Sequence, residues 1–397
     1  MTMSATQVES ADVFKGAVPA GTLTRSHDDV VFTYHREYSG VPVATTLPIS
    51  DSPRVTGGGA VPPFFAGLLP EGRRLTALQN RLKTSKDDEF SQLISVGADC
   101  IGDVRILAPG FPPHLEPKLA SYSLDAISFR EVFAEEIGGL SSSANVPGVQ
   151  DKISDHMISV PVAGATGPAI IKLSPTDIPL LVENEAFFLD VARACGLETP
   201  RSRIVTDRDG VTGLVIERFD RTRRRDGTLE SLAQEDALQL AGRWPSAKYR
   251  MTTREVFEAV AGVVDAPVVE LTKLIRLFAT SYVIGNGDLH AKNVSVYFKD
   301  GLWRTTPAYD IVSTLPYGDR NMALEIEGRD DNIRARDFVA LGVRHDVPER
   351  VIRKILSQVS RACLGLISHV DSIGFDDKKS EDIRRVSRKR AADIAQD

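Results

Sequence analysis

The first part of the chain alternates short β-prone runs with turn residues. Val30-Val31-Phe32-Thr33-Tyr34 and Val43-Ala44-Thr45-Thr46-Leu47 lie between Gly, Pro and Asp, which predicts a small antiparallel sheet between Asp12 and Ser50. Helical spacing of apolar residues then predicts one helix from about Glu71 to Leu82 and another around Phe90 to Val96, followed by a strand from Val104 to Leu107. Four prolines between Ala108 and Pro117 mark a linker and a domain boundary.

Beyond the linker, Ser123 caps a predicted helix that runs to Ile137. Ile153 to Val162, Ala169 to Leu173, Arg203 to Val205 and Val211 to Ile216 read as strands. Phe188, Val191, Ala192 and Cys195 give Glu185 to Cys195 a helical period that Gly196 ends. After Ser231 the pattern turns helical, over Gln234 to Ala241, Arg254 to Val264, Pro267 to Ile284 and Pro348 to Val370. One hairpin interrupts these helices, Val294 to Phe298 and Leu302 to Tyr309, turned by Lys299-Asp300-Gly301. Three regions are expected: a β-rich one over 1–110, a sheet with an inserted helix over 120–230, and a helical one over 231–397.

A length of 397 residues agrees with two or three domains at roughly 150 residues each. The apolar fraction of 42% and charged fraction of 26% are those of a soluble globular protein and indicate neither disorder nor a coiled coil. A net charge of −6 argues against broad electrostatic coating of nucleic acid. The basic cluster Arg221, Arg223, Arg224 and Arg225 reads as a solvated loop. The C-terminal run Arg384, Arg385, Arg388, Lys389 and Arg390 reads as a solvated helical face, with phosphate contact in a DNA-bound assembly as the alternative. Cys100, Cys195 and Cys363 fit neither a disulfide framework nor paired zinc ligands, so a reducing, cytoplasmic compartment is expected. Met1 to Gly16 has no apolar export core, and Val256 to Leu271 is broken by Glu258, Asp265, Pro267 and Glu270, so neither export nor a membrane span is expected.

The chemistry concentrates in Gly285-Asn286-Gly287-Asp288-Leu289-His290-Ala291-Lys292-Asn293, between a predicted helix and the hairpin. Its D-x-x-x-x-N spacing suits phosphoryl transfer, in which a carboxylate takes or orients the proton of an attacking hydroxyl while an amide oxygen in the same loop binds Mg²⁺. Alone, such a pattern recurs by chance about once in a chain of this length. The hairpin strengthens it by returning Asp310, in Pro307-Ala308-Tyr309-Asp310, beside the first loop. A hard cation bridging ATP phosphates takes only one or two protein carboxylates, and Asp310 with Asn293 meets that need. A phosphate-binding cation on a strand is offered by Lys172 in Ile170-Ile171-Lys172-Leu173, with Glu185 as its partner and Glu183 as the substitute. Glu217-Arg218-Phe219-Asp220 closes the last strand of the sheet, where Phe219 is either an adenine contact or an ordinary interlobe core residue. Asn145-Val146-Pro147-Gly148-Val149-Gln150-Asp151-Lys152 has one glycine, too few for a P-loop, and by itself reads as a turn.

Taken together these residues resemble the HipA family, the serine/threonine kinase toxins of bacterial toxin-antitoxin systems. The resemblance also rests on Pro62-Pro63-Phe64-Phe65-Ala66-Gly67-Leu68-Leu69-Pro70-Glu71-Gly72, Val96-Gly97-Ala98-Asp99-Cys100-Ile101-Gly102 and Gln234-Glu235-Asp236, which follow in the family's order. It implies an α+β, two-lobed protein-kinase-like fold with the N-terminal β-rich subdomain packed on the N-lobe. By similarity Asp288 is the base, Asn293 and Asp310 hold Mg²⁺, and Lys172 meets phosphate. Pro147, Gly148, Val149, Gln150, Asp151 and Lys152 cover the phosphates. Glu217, Arg218 and Phe219 form the hinge, and His290, Lys292 and Tyr309 lie along ATP. The resemblance further implies a helix-turn-helix antitoxin as partner, operator DNA held mainly through it, and a protein substrate such as an aminoacyl-tRNA synthetase.

One position departs from the family. A serine at the head of the phosphate loop is autophosphorylated in several members, and Asn145 stands there here. Self-inactivation is therefore expected to be weak or to use Ser141, Ser142 or Ser143. Two rival readings remain at this point. Gly287-Asp288-Leu289-His290 followed by Asn293 also resembles small-molecule kinases of the aminoglycoside or choline type, and a non-catalytic corepressor is the other.

Overall fold

A computed structural model describes residues 8–85, 87–113, 128–131, 158–163, 168–224 and 226–395, the side chains of 158–163 excepted. Its first body is an antiparallel sheet of β1 (Ser10–Lys15), β2 (Val18–Ser26), β3 (Asp29–Tyr34), β4 (Arg54–Thr56) and β5 (Val104–Leu107), in the order β4-β3-β2-β1-β5. Strict alternation in β3 turns Val30, Phe32 and Tyr34 inward. There they meet Phe65 of α1 (Pro63–Gly67) and Phe90 and Leu93 of α3 (Glu89–Val96). Between these lies α2 (Gly72–Leu82), with Glu71 at its N-cap. The β-prone run Val43 to Leu47 forms no strand, only a bridge between Ala44 and Leu47. The Tyr34 hydroxyl overrides its propensity, accepting from the Val43 amide at 2.8 Å and donating to the Leu47 carbonyl at 2.5 Å.

The second sheet contains β6 (Ile158–Ala163), β7 (Pro168–Leu173), β8 (Ser202–Thr206) and β9 (Thr212–Glu217), antiparallel in the order β6-β7-β9-β8. Cross-strand register decides which face Lys172 occupies: Lys172 lies opposite Leu214, and Ile170 opposite Ile216. Val182 and Ala186 of α4 (Leu181–Ala194) pack on Leu214 and Ile216, so Lys172 belongs to the helix-covered face. Helix α4 starts earlier than its apolar period predicts, after Leu180 in the left-handed region (φ 64°). A short hairpin of β10 (Arg221–Arg223) and β11 (Leu229–Ser231) leads into the third region.

That region is built round α7 (Pro267–Ile284), whose Leu271, Ile275, Phe278, Tyr282 and Ile284 are all buried. Around it pack α6 (Thr253–Ala261), α8 (Ala335–Val343), α9 (Glu349–Ile367) and α10 (Asp377–Ala395). Against them stands a sheet of β12 (Gln234–Asp236), β13 (Ser295–Lys299) and β14 (Leu302–Thr305). The helix expected over Gln234 to Ala241 thus loses its first three residues to a strand. Gln234–Asp236 pairs with β13, and only α5 (Ala237–Leu240) is helical, with Asp236 and Gln239 forming its capping box. The second hairpin strand likewise stops at Thr305, short of Tyr309.

The basic clusters read as solvated are partly structural. Arg221 is buried, its guanidinium shared by Asp220 and Asp99. Arg390 is buried too, donating to the Tyr282 carbonyl at 3.0 Å with its guanidinium 4.7 Å from that ring's centroid. All three cysteines are free and buried, although the fold brings the sulfurs of Cys195 and Cys363 to 3.4 Å. No helix among the described residues is long and apolar enough to cross a membrane.

The N-terminal body touches both of the others. Asp99 pairs with Arg218 and Arg221, and the Gly102 amide donates to Asp220 at 3.0 Å. On the helical side, Thr45 donates its amide and its hydroxyl to Glu235, each at 2.8 Å, and the Gln239 side-chain Nε2 donates to the Phe64 carbonyl at 2.9 Å.

Candidate active site

The loop after α7 is shaped by its backbone. Gly285 ends the helix in the left-handed region (φ 71°), where a Cβ would fall 2.4 Å from Leu315 Cγ, so glycine is required twice over. Thr314 ties down both flanks, its hydroxyl donating to the Gly285 carbonyl at 3.0 Å and accepting from the Gly287 amide at 2.9 Å. Asn286 accepts from the Asp288 amide at 3.0 Å, and the Asn293 side-chain amide donates back to the Asp288 carbonyl at 3.0 Å. The D-x-x-x-x-N spacing therefore closes one compact loop. The Tyr249 hydroxyl donates to Asp288 Oδ1 at 3.0 Å and fixes the carboxylate's rotation.

Opposite stands a chain of charges. Lys172 Nζ lies 2.7 and 3.0 Å from the two oxygens of Glu185 and also contacts Asp310 Oδ1. The partner is thus Glu185; Glu183 Oε2 is buried with no hydrogen-bond partner among the described residues. Burial alone would strip Lys172 of its proton, but Asp310 and Glu185 outweigh it and hold the ammonium well above its ordinary pKa. Glu185 is fully buried, which pushes it up to about 7 against the opposing pull of Lys172. Asp310 itself sits in the left-handed region (φ 53°), a conformation that costs little for aspartate and aims its carboxylate at the strand lysine. Two reciprocal bonds of 2.9 Å between the Asn184 side chain and the Ser313 backbone dock this segment on α4.

His290, whose ring meets that of Tyr249, is 2% exposed, and neither ring nitrogen has a partner among the described residues. Burial first and Lys248 second depress its pKa to about 3, so the ring is neutral and free to meet a ligand. Tyr309 donates to the Lys292 carbonyl at 2.8 Å and pairs with Ser295 at 2.6 Å. Its ring lies 5.7 Å from that of Phe219, which also meets Tyr297 edge-on at 6.2 Å. The Glu217 and Arg218 amides donate to the Arg201 and Pro168 carbonyls, and the Arg218 side chain turns away into Asp99 and Asp220. Pro147, Gly148, Val149, Gln150, Asp151 and Lys152, with Ser141, Ser142, Ser143 and Asn145, lie outside the described residues.

Residues 11–107 match the family model of the HipA N-terminal domain, and residues 144–365 that of the HipA-like C-terminal domain. The chain belongs to the HipA family. A relative named as a kinase, Y4mE of Sinorhizobium fredii, is 31% identical, over 76% of this chain and 77% of its own. The serine/threonine-protein kinase toxin HipA of Shewanella oneidensis is 26% identical over 93% of this chain and 90% of its own. Among solved structures, the complex of Shewanella oneidensis HipA, HipB and operator DNA superimposes with a TM-score of 0.77 at 21% identity, covering 97% of either chain. The fold is accordingly the two-lobed, kinase-like α+β fold of HipA.

The donor set of this HipA-family site suits a metal carried by ATP. Asn293 spends its amide nitrogen on the Asp288 carbonyl, which leaves Oδ1 as a hard oxygen ligand, and Asp310 adds one carboxylate. Water and phosphate oxygens would complete the sphere of Mg²⁺, which rarely needs a cage of protein ligands. Tyr249, Asn184 and Thr314 support the site without any short motif to announce them. The only sequence signal among them is Asn184, a polar residue within an otherwise apolar helical face.

Proposed function

We propose that the chain is an ATP- and Mg²⁺-dependent serine/threonine-protein kinase, the toxin of a toxin-antitoxin pair, acting on a host protein such as an aminoacyl-tRNA synthetase. The observation that carries this reading is the meeting of Lys172, Glu185 and Asp310 at one ammonium, together with the loop that Asn293 closes on Asp288. In this reading Asn293 and Asp310 would hold Mg²⁺, which when bound would supply the positive charge that neutralises the ATP phosphates. Asp288 Oδ2 accepts the proton of a substrate hydroxyl while Tyr249 holds Oδ1. The hydroxyl oxygen bonds to the γ-phosphorus as the bond to ADP breaks. Lys172, kept charged by its two acids, holds the phosphates, and Pro147 to Lys152 cover them. Tyr309, Phe219 and the backbone of Glu217 to Phe219 line the base, and the neutral His290 ring lies along the nucleotide.

Residues 1–110, 120–230 and 231–397 act as N-terminal subdomain, kinase N-lobe and C-lobe. The relatives named as kinases, and the HipA–HipB–DNA assembly of the structural neighbour, support an antitoxin partner of the HipB kind and operator DNA reached mainly through it. Phosphoproteomics of host lysate treated with wild-type and Asp288→Asn proteins tests the reading. New phosphoserine or phosphothreonine on a host protein with wild type alone is the expected result. Transfer only to aminoglycosides or choline would replace it by a small-molecule kinase.

A further inference from the structure

The catalytic loop is held from a third direction that the kinase chemistry does not require. Glu71, at the N-cap of α2 in the N-terminal subdomain, places one carboxylate oxygen 3.2 Å from Lys292 Nζ and the other 3.2 Å from Lys248 Nζ. Both lysine side chains are 11% exposed. Lys292 also donates to the Gly67 carbonyl at 3.1 Å, at the end of α1. Each lysine is tied to the base. Lys292 lies in the loop of Asp288, and its carbonyl accepts from Tyr309. Lys248 precedes Tyr249, which orients Asp288, and the Lys248 carbonyl accepts from the Ala291 amide at 3.2 Å.

We propose that Glu71 is a positioning residue for phosphoryl transfer: its carboxylate clamps together the loop that carries Asp288 and the segment that aims it. This deepens the kinase reading and rests on it. Lys292 becomes the loop's fastening to the N-terminal subdomain rather than a nucleotide contact. The physical reason is charge. Two ammonium groups beside a buried neutral histidine repel each other, and one carboxylate with an oxygen for each holds them together. Lys292 and Lys248 in turn keep the Glu71 carboxyl depressed to about 2 against its burial, so the clamp persists at any pH where the protein works.

The test uses the full chain as wild type, Glu71→Gln, Lys292→Met and the double variant. A displaced base of about 1 Å costs up to ~100-fold, so Glu71→Gln should lower kcat by roughly 10- to 100-fold with the KM for ATP within about threefold. Residues acting through one contact are not additive, so the double variant should lose about as much as the worse single one. Hydrogen exchange of amides 288–293 should quicken by about tenfold in Glu71→Gln while amides of α9 stay unchanged. Unchanged exchange with kcat within about twofold of wild type overturns the clamp. A raised KM for ATP at constant kcat in Lys292→Met overturns it as well and returns Lys292 to the nucleotide. Should wild type and Asp288→Asn consume ATP alike, the kinase reading fails, and the exchange measurement alone still decides the clamp. Lys292→Met reads the same contact from its other end if Glu71→Gln does not fold.

Discussion

The two sides of the cleft are built on opposite principles. Within itself the loop from Gly285 to Asn293 is shaped by neutral hydrogen bonds to its own backbone, from Asn286, Asn293 and Thr314, while its attachment to the N-terminal subdomain, Lys292 on Glu71, is ionic. The side carrying Lys172 is fixed by charge: three ionisable groups, separated by 13 and 138 residues in the chain, meet at one ammonium. A backbone-built loop keeps its shape whatever its ligand does. An ion cluster responds to any added charge, so on the proposed kinase reading a phosphate arriving at Lys172 would compete directly with Asp310. The same reading then has Asp288 stay in place while the Lys172 side rearranges on binding.

The sharpest break in this comparison comes from the rigid side. Asp288→Asn retains the amide geometry and removes the proton acceptor, so phosphate transfer should fall by about two to four orders of magnitude, while the urea midpoint stays close to wild type. Next in size is the charged side. Lys172→Met leaves Glu185 buried and unpaired, which should destabilise the fold by ~3–5 kcal/mol in urea denaturation and abolish transfer; replacing Lys172 and Glu185 together by Met and Leu should recover most of the stability and none of the activity. A smaller effect is expected from Thr314→Val, which removes the hydroxyl's bonds to the Gly287 amide and the Gly285 carbonyl and should cost ~1–3 kcal/mol, with faster exchange of the loop amides as the readout. If that variant proved as stable as wild type, backbone anchoring would not be what holds the loop.

The smallest effect concerns Asp236, a buried carboxyl at the end of β12. Burial pushes Asp236 up to about 6, against the pull of Lys292. Between its ordinary value near 3.8 and about 6 the folded state keeps a proton that the unfolded chain has lost. This group's contribution therefore favours folding most below pH 3.8, declines as pH rises to about 6, and is flat beyond. Asp236→Asn keeps the cap and removes the titration. Its stability relative to wild type should improve by on the order of 1–2 kcal/mol between pH 4 and pH 7, and an equal difference at both values would show that Asp236 does not titrate there.

Much of the fold was legible because alternation and helical period are local. The strand of Val30 to Tyr34 and the helix ended by Gly285 follow from spacing alone, whereas for Lys172 the sequence left Glu185 or Glu183 as partner and the structure chose Glu185. Gln234 to Asp236 misled, since its capping box does announce a helix but the residues before the cap pair with β13. Arg221 misled for a similar reason: a run of arginines looks solvated until Asp99, more than a hundred residues earlier, arrives beside it.

By itself the sequence singled out Asp288, Asn293 and Asp310 as the candidate base and metal ligands, because they lie in two short stretches whose spacing a turn and a hairpin impose. Only the tertiary structure decided what holds them. Tyr249 on Asp288, Asn184 on Ser313 and Glu71 across two lysines are contacts between elements far apart in the chain. No local period encodes such meetings, since they form only when the three bodies pack and distant polar groups must find partners in the space that packing leaves.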